Sequence, residues 1–513
     1  MSVLRKLAGQ TAIYGLSSIV ARFLNFLLTP LYTSKGVFPP EEYGVITSLY
    51  AWAPFISIVL TFGMETAYFR FSQASPNTSL KGPDAERTYG TALLSVSLVS
   101  VVFALLGTLL AQPIAAGIGF PAFTSSVVML VAILAFDALA AIPMARLRKE
   151  GRAWWFVFVN ASNVVVNIAL NVFFIGYCMR KFNAGESTPL IEAVYDPSLG
   201  VGYVFLANVA SSAVKLLLLL PQWWPLRLRS GRAPLRFEKQ LVRPMLAFAM
   251  PLLVAGFAGM INETADRIML KKILDPMLGE QATNAQIGIY GACYKLAILI
   301  TLFIQAFRMG AEPFFFSHAK EKNSKETFAR IMNLFVAVCM AAFLCVMLFL
   351  DLFKWFIPNP DFHAGLRVVP ILMLANVFLG IYYNQSVWYK LTNKTGAGGT
   401  IALIGASITL ALLFILVPIM GYMGAAWTTL ACYASMAVIS YAWGQKHYPV
   451  PYNVSRVLGY MAGAVFLWWA VSTLEASTQP SAATSYALRL TSLCAYTYWA
   501  WTKEKKPLPS AAP

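Results

Sequence analysis

The sequence is short of charge. Asp, Glu, Lys and Arg make up only 12% of its 513 residues, against about a quarter in an average soluble domain. The phosphate-binding pattern GxxxxGK[ST] is missing. The nearest stretch, Gly396-Ala397-Gly398-Gly399-Thr400, lacks the lysine and the spacing, which excludes a built-in P-loop ATPase. Histidine is scarce, and His318, His363 and His447 stand too far apart to form a ligand cluster. The six cysteines, Cys178, Cys293, Cys339, Cys345, Cys432 and Cys494, lie in apolar segments and form no CxxC, so neither a disulfide framework nor a metal site is implied. No external loop is longer than about 20 residues, which leaves little room for the catalytic loop of a membrane polymerase. No enzyme and no cofactor are expected.

What the chain has in abundance is apolar length. Hydrophobic residues are 58% of the total and the mean hydropathy is +0.64. Runs of 18 or more apolar residues recur from end to end, the signature of membrane helices. Fourteen spans are expected, at 9–33, 43–69, 88–112, 122–145, 153–178, 199–222, 245–271, 287–311, 328–352, 366–391, 397–417, 420–444, 454–474 and 483–501. The first follows Arg5 and Lys6. It is too long for a signal peptide and contains Arg22 and Asn25, so it is read as a retained span.

The net charge of +17 could point to nucleic acid, but its distribution points to a membrane. With a cytoplasmic N-terminus, the segments between spans that fall outside hold only Lys35, Arg180, Lys181, Lys271, Lys272, Lys354 and Arg367. Most other Lys and Arg fall inside. The positive-inside rule therefore puts both termini in the cytoplasm. The longest basic loop, Pro225–Arg243, reads as a linker between two halves.

Those halves repeat. Tyr43-Gly44 and Gly63-Met64-Glu65 match Tyr290-Gly291 and Gly310-Ala311-Glu312 at one constant offset of 247 residues, with aromatics after both glutamates. Arg22 and Arg267 precede those tyrosines by 21 and 23 residues. The expected fold is an all-α polytopic membrane protein of about 14 transmembrane helices. It has two pseudo-symmetric six-helix lobes, 1–224 and 245–446, a linker at 225–244, and an appended helix pair with a tail at 447–513. Six spans per repeat implies a pseudo-two-fold axis along the membrane normal.

Ionisable residues inside membrane spans are costly and usually face protein or a wet cavity. The candidates for a cationic cavity are Arg22, Arg267, Arg308 and Lys295. Arg offers a planar fork suited to phosphate. Glu65, Asp137, Glu263, Asp266 and Glu312 are candidates for gating or coupling. Each has a structural alternative. Glu263 lies one turn before Arg267 and Glu312 one turn after Arg308, so either acid can pair with its arginine. Glu65 and Glu312 can bond backbone near helix ends. Asp137 can bind a coupling cation or proton, or serve as a packing contact, and Lys215 can snorkel to an interface. Asn160, Asn163, Asn167 and Asn171 form a helical stripe that can glue helices together or meet sugar hydroxyls.

Taken in order, several stretches carry a family resemblance: Leu7–Tyr32, Pro40-Glu41-Glu42-Tyr43-Gly44, Thr61-Phe62-Gly63-Met64-Glu65, Asp266-Arg267-Ile268-Met269-Leu270, Ile289-Tyr290-Gly291 and Glu312-Pro313. Through them the chain resembles the polysaccharide transport branch of the multidrug/oligosaccharidyl-lipid/polysaccharide exporter superfamily. The resemblance implies alternating access around a central cavity. It also implies an undecaprenyl-pyrophosphate-linked oligosaccharide carried from the cytoplasmic to the periplasmic leaflet of a bacterial inner membrane. Related lipid II flippases have essential cavity arginines in their first span, and Arg22 is the matching position. Their last two spans form a groove for the lipid tail. Further implied partners are membrane lipid, a polysaccharide polymerase and chain-length proteins, with the cycle drawing on Na+, H+ or the membrane potential. The motifs do not separate lipopolysaccharide O-antigen, capsule, exopolysaccharide and peptidoglycan precursors. A lipid II flippase, a cation-coupled drug or metabolite antiporter and a membrane polymerase are the rival readings.

Overall fold

The computed structural model describes residues 19–20, 22–72, 83–223, 237–319, 321 and 323–505, with backbone alone at 83–85 and 313. Arg5, Lys6, Lys81, Arg227, Arg229, Arg232, Arg236, Lys320, Lys322 and Lys506 lie outside the described residues. So do most of the first span and most of the basic linker.

Among the described residues every regular element is helical, as a chain that must satisfy its backbone inside lipid requires. In order these are α1 (Pro40–Thr61), α2 (Met64–Phe71), α3 (Pro83–Leu109), α4 (Thr124–Lys149), α5 (Ala153–Asn171), α6 (Gly202–Trp223), α7 (Lys239–Leu278), α8 (Glu280–His318), α9 (Ser324–Leu348), α10 (Val369–Gln385), α11 (Gly396–Met420), α12 (Tyr422–His447), α13 (Val454–Thr478) and α14 (Ala482–Lys505), with shorter turns between them. Among the described residues, twelve helical stretches are long and apolar enough to cross a membrane. The 24-residue α14 has the length but is not among them. With the first span largely undescribed, that accounts for the difference from fourteen.

Packing divides the chain into Met1–Gly291 and Ala292–Pro513. In the first unit α4 is central, touching α1, α2, α3, α5 and α6, and α7 packs on α1, α2 and α3. In the second, α12 packs on both α10 and α11, while α9 carries α13 and α14. The terminal pair is tied at two places. Arg489 binds Glu475 through two hydrogen bonds of 2.8 and 2.9 Å and also reaches Asp351 at 2.8 Å. Glu504 accepts from the Tyr460 hydroxyl at 2.6 Å and pairs with Arg456 at 3.4 Å.

The expected second span is broken. Phe62 (φ 33°) and Gly63 (φ 71°) take left-handed backbone between α1 and α2. This conformation is unusual for Phe and easy for Gly. At the positions 247 residues on, α8 runs through Met309-Gly310 unbroken to His318. The seventh helix also differs from expectation. It runs 40 residues rather than stopping at 271, about 60 Å at 1.5 Å per residue. Lys271 and Lys272, assigned above to an outside loop, are therefore helical, and the helix stops only at Gly279 (φ 80°). The α11–α12 turn is as tight as its Pro418–Gly421 spacing suggests. Gly421 has φ 56°, and a Cβ on Gly424 would lie 2.4 Å from the Leu416 carbonyl oxygen.

Candidate functional site

The polar residues of the membrane helices fall into distinct clusters, each held inside one unit. In the first unit, Asp266 and Arg267 sit in the second half of α7. Asp266 is 4% exposed, and its Oδ2 accepts a 2.5 Å hydrogen bond from the Tyr290 hydroxyl of α8. Arg267 lies 3.6 Å from Asp266 Oδ1 and donates to the main-chain oxygen of Glu263 at 3.4 Å. The Glu263 residue is exposed while Asp266 is buried. The carboxylate beside Arg267 is thus Asp266, which Tyr290 holds in place, and Glu263 contributes its carbonyl.

One turn further on, Lys271 was missed by sequence reasoning. It is 4% exposed, donates to Asp275 at 3.2 Å and Asn284 at 3.1 Å, and lies 4.4 Å from the Phe120 ring centroid. A buried ammonium is tolerated because acceptors and ring face replace its water. Its i,i+4 spacing to Asp275 was the available signal. Arg22 lies in a short helical stretch and is exposed.

Near the other end of this unit, Glu65 of α2 forms an ion pair with Arg148 of α4. Asp137, also on α4, is not isolated. Lys215 of α6 donates to it at 3.1 Å and Ser212 at 3.4 Å. Two residues read separately, one for coupling and one for snorkelling, are partners across a helix contact. We expect Asp137→Asn to lower thermal stability measurably, because it leaves the partly buried Lys215 ammonium without its counter-ion. Asp137→Leu with Lys215→Leu should regain most of that loss. A double variant that is stable but transport-dead would instead give Asp137 a coupling role.

The asparagine stripe follows the adhesive alternative at two of its positions. Asn167 donates to Asn25 at 3.1 Å, and Asn171 accepts from the Tyr32 hydroxyl at 2.8 Å.

In the second unit Glu312 joins two cations. Lys390, just beyond α10, donates to it at 2.6 Å, and Arg308 lies 3.8 Å away and 4.8 Å from the Tyr383 ring centroid. These groups line an open groove between α8 and α10 whose free space, open solvent included, is about 380 Å³. Lys295 lies half-buried on α8. Sequence reasoning found Glu65 and Glu312 as repeat equivalents but missed both partners. Arg148 and Lys390 are 242 residues apart, not 247, so the constant offset hides them. Among the described residues no cluster of His, Cys, Asp or Glu suits a metal ion. The arrangement offers fixed cations, shared carboxylates and apolar walls, which suit binding and movement of an anion.

Comparison with known proteins agrees with that architecture. A family model described as polysaccharide biosynthesis protein matches residues 7–317. Among solved structures, the lipid II flippase MurJ in an inward closed conformation is similar at TM-score 0.70 and 11% identity, covering 96% of this chain and 99% of that one. An inward-facing multidrug resistance MATE family transporter of the MOP superfamily is similar at TM-score 0.60 and 13% identity, covering 88% and 99%. The MATE multidrug transporter DinF-BH is similar at 0.61 and 15%, covering 88% and 97%. At these identities the likeness is one of fold. No curated protein sequence matches. The chain belongs to the polysaccharide biosynthesis protein family, and its fold is that of transporters of the multidrug/oligosaccharidyl-lipid/polysaccharide exporter superfamily.

Proposed function

We propose that this transporter flips a pyrophosphate-linked oligosaccharide lipid from the cytoplasmic to the periplasmic leaflet of the bacterial inner membrane by alternating access. Both termini are cytoplasmic in this reading. The observation that carries it is Arg22, which is helical and exposed and falls about 13 residues into the first span expected from the sequence. An arginine facing hydrocarbon at that depth costs several kcal/mol, so its exposed face belongs to a wet cavity. There a guanidinium can replace the water of a phosphate that could not cross lipid alone. Arg267 supports the same reading from α7. The lipid tail stays in the bilayer, and the cycle draws on an Na+ or H+ gradient or on the membrane potential. A polysaccharide polymerase and chain-length proteins take the product.

The test is reconstitution into liposomes with a fluorescent lipid-linked pyrophosphate sugar on one leaflet. Protein should speed its appearance on the other leaflet well above the protein-free rate, and no acceleration would overturn the proposal. Running lipid II beside an O-antigen-type head identifies which head group is moved.

A further inference from the structure

The two repeats build the same ion pair differently. In each, a glutamate at the corresponding repeat position binds a cation from the C-terminal end of the fourth span of its half: Glu65 with Arg148, and Glu312 with Lys390. One turn before the glutamate the repeats diverge. At the offset of 247, the first has Thr61 and the second has Arg308. Glu65 is thus matched by one cation, whereas Glu312 is shared between two. Around Glu312 the charge sums to +1, in a pocket walled by Ile304, Phe307 and Phe315.

Surplus cation and aromatic wall together describe a phosphate attached to an apolar chain.

We propose that this pocket is a second site, in which Arg308 and Lys390 capture the phosphate head of a prenyl-type lipid. Glu312 then acts as the competitor that holds both cations until the phosphate displaces it. This rests on the flippase reading for the lipid's onward route, but the binding step stands on the pocket alone.

The test uses the full-length protein in nanodiscs with three probes: geranylgeranyl pyrophosphate, inorganic pyrophosphate and geranylgeraniol. The prenyl pyrophosphate should bind best. Arg308→Gln should weaken it about tenfold or more, the size of one lost charge-assisted hydrogen bond. Glu312→Gln should tighten it several-fold by freeing both cations, a gain that misfolding cannot produce. Equal binding of inorganic pyrophosphate would assign the site to a free anion and overturn the lipid proposal. Equal binding of geranylgeraniol, or unchanged affinity in both Arg308→Gln and Glu312→Gln, would overturn the phosphate proposal. If these variants behave as expected while reconstituted protein moves no lipid, the flipping assignment fails and the site remains.

Discussion

Arg22→Ala is expected to reduce flipping of a pyrophosphate-linked sugar lipid to the rate of protein-free vesicles, while the protein still inserts and folds. The side chain is exposed, so its removal opens no core cavity, and the cost should fall on transport. A charge-assisted hydrogen bond is worth about 1.5–3 kcal/mol, and more where the surroundings exclude water. Losing the cation therefore slows capture and passage by one to several orders of magnitude. Arg22→Lys keeps the charge but not the two-pronged geometry, and should retain a small fraction of the rate. Normal transport by Arg22→Ala, at unchanged expression and thermal stability, would sink the cationic-cavity account.

Gly288→Ala is expected to be among the most disruptive single-methyl additions in the chain. A Cβ there would lie 1.8 Å from the Pro40 carbonyl oxygen and 2.9 Å from the Gly44 amide nitrogen. From the opposing side, a Cβ on Gly44 would lie 1.8 Å from the Asn284 carbonyl oxygen. Both collisions are with main chain, which cannot rotate aside, so α1 and the first turns of α8 must separate. Gly291→Ala meets the Thr47 side chain at 2.7 Å, where a rotamer change can give relief. Overpacking costs about 1–3 kcal/mol when neighbours can adjust, and Gly288 should exceed what Gly291 shows. The midpoint of thermal unfolding in detergent measures both. A Gly288→Ala midpoint no lower than that of Gly291→Ala would show that the crossing is not tight.

Of the glycines at that crossing, Gly44 and Gly291 were legible as repeat markers and Gly288 was not. Tyr43-Gly44 and Tyr290-Gly291 stood out by spacing alone, and the structure shows why small residues recur: two helix backbones nearly touch there. Membrane character, helix positions and the α11–α12 turn were legible for the same reason, since hydropathy and glycine act locally. The partners of the ionisable residues were not. Asp137 and Lys215 are 78 residues apart, and Glu312 and Lys390 are also 78 apart, so only the packing of α4 against α6, or α8 against α10, brings them together. Local spacing even misled at Glu263. An i,i+4 acid was available to Arg267, but burial and the Tyr290 hydroxyl put Asp266 beside it instead. Lys271 was read as a loop cation because charge usually marks a span's end. Here Asp275, Asn284 and Phe120 make its burial tolerable and the helix continues.

The break at Phe62–Gly63 has a mechanical meaning. The short helix α2 is packed on α3, α4 and α7, and Glu65 fastens it to Arg148. Its link to α1 is only two residues with left-handed backbone. The break redirects the chain between two helices that both pack on α4 and α7. Its counterpart α8 has no joint at Met309-Gly310, so Arg308 and Glu312 ride on a stiff rod that passes any tilt of its length directly to them. Of two positions 247 residues apart, one thus carries a break in the helix and the other lies within a continuous one.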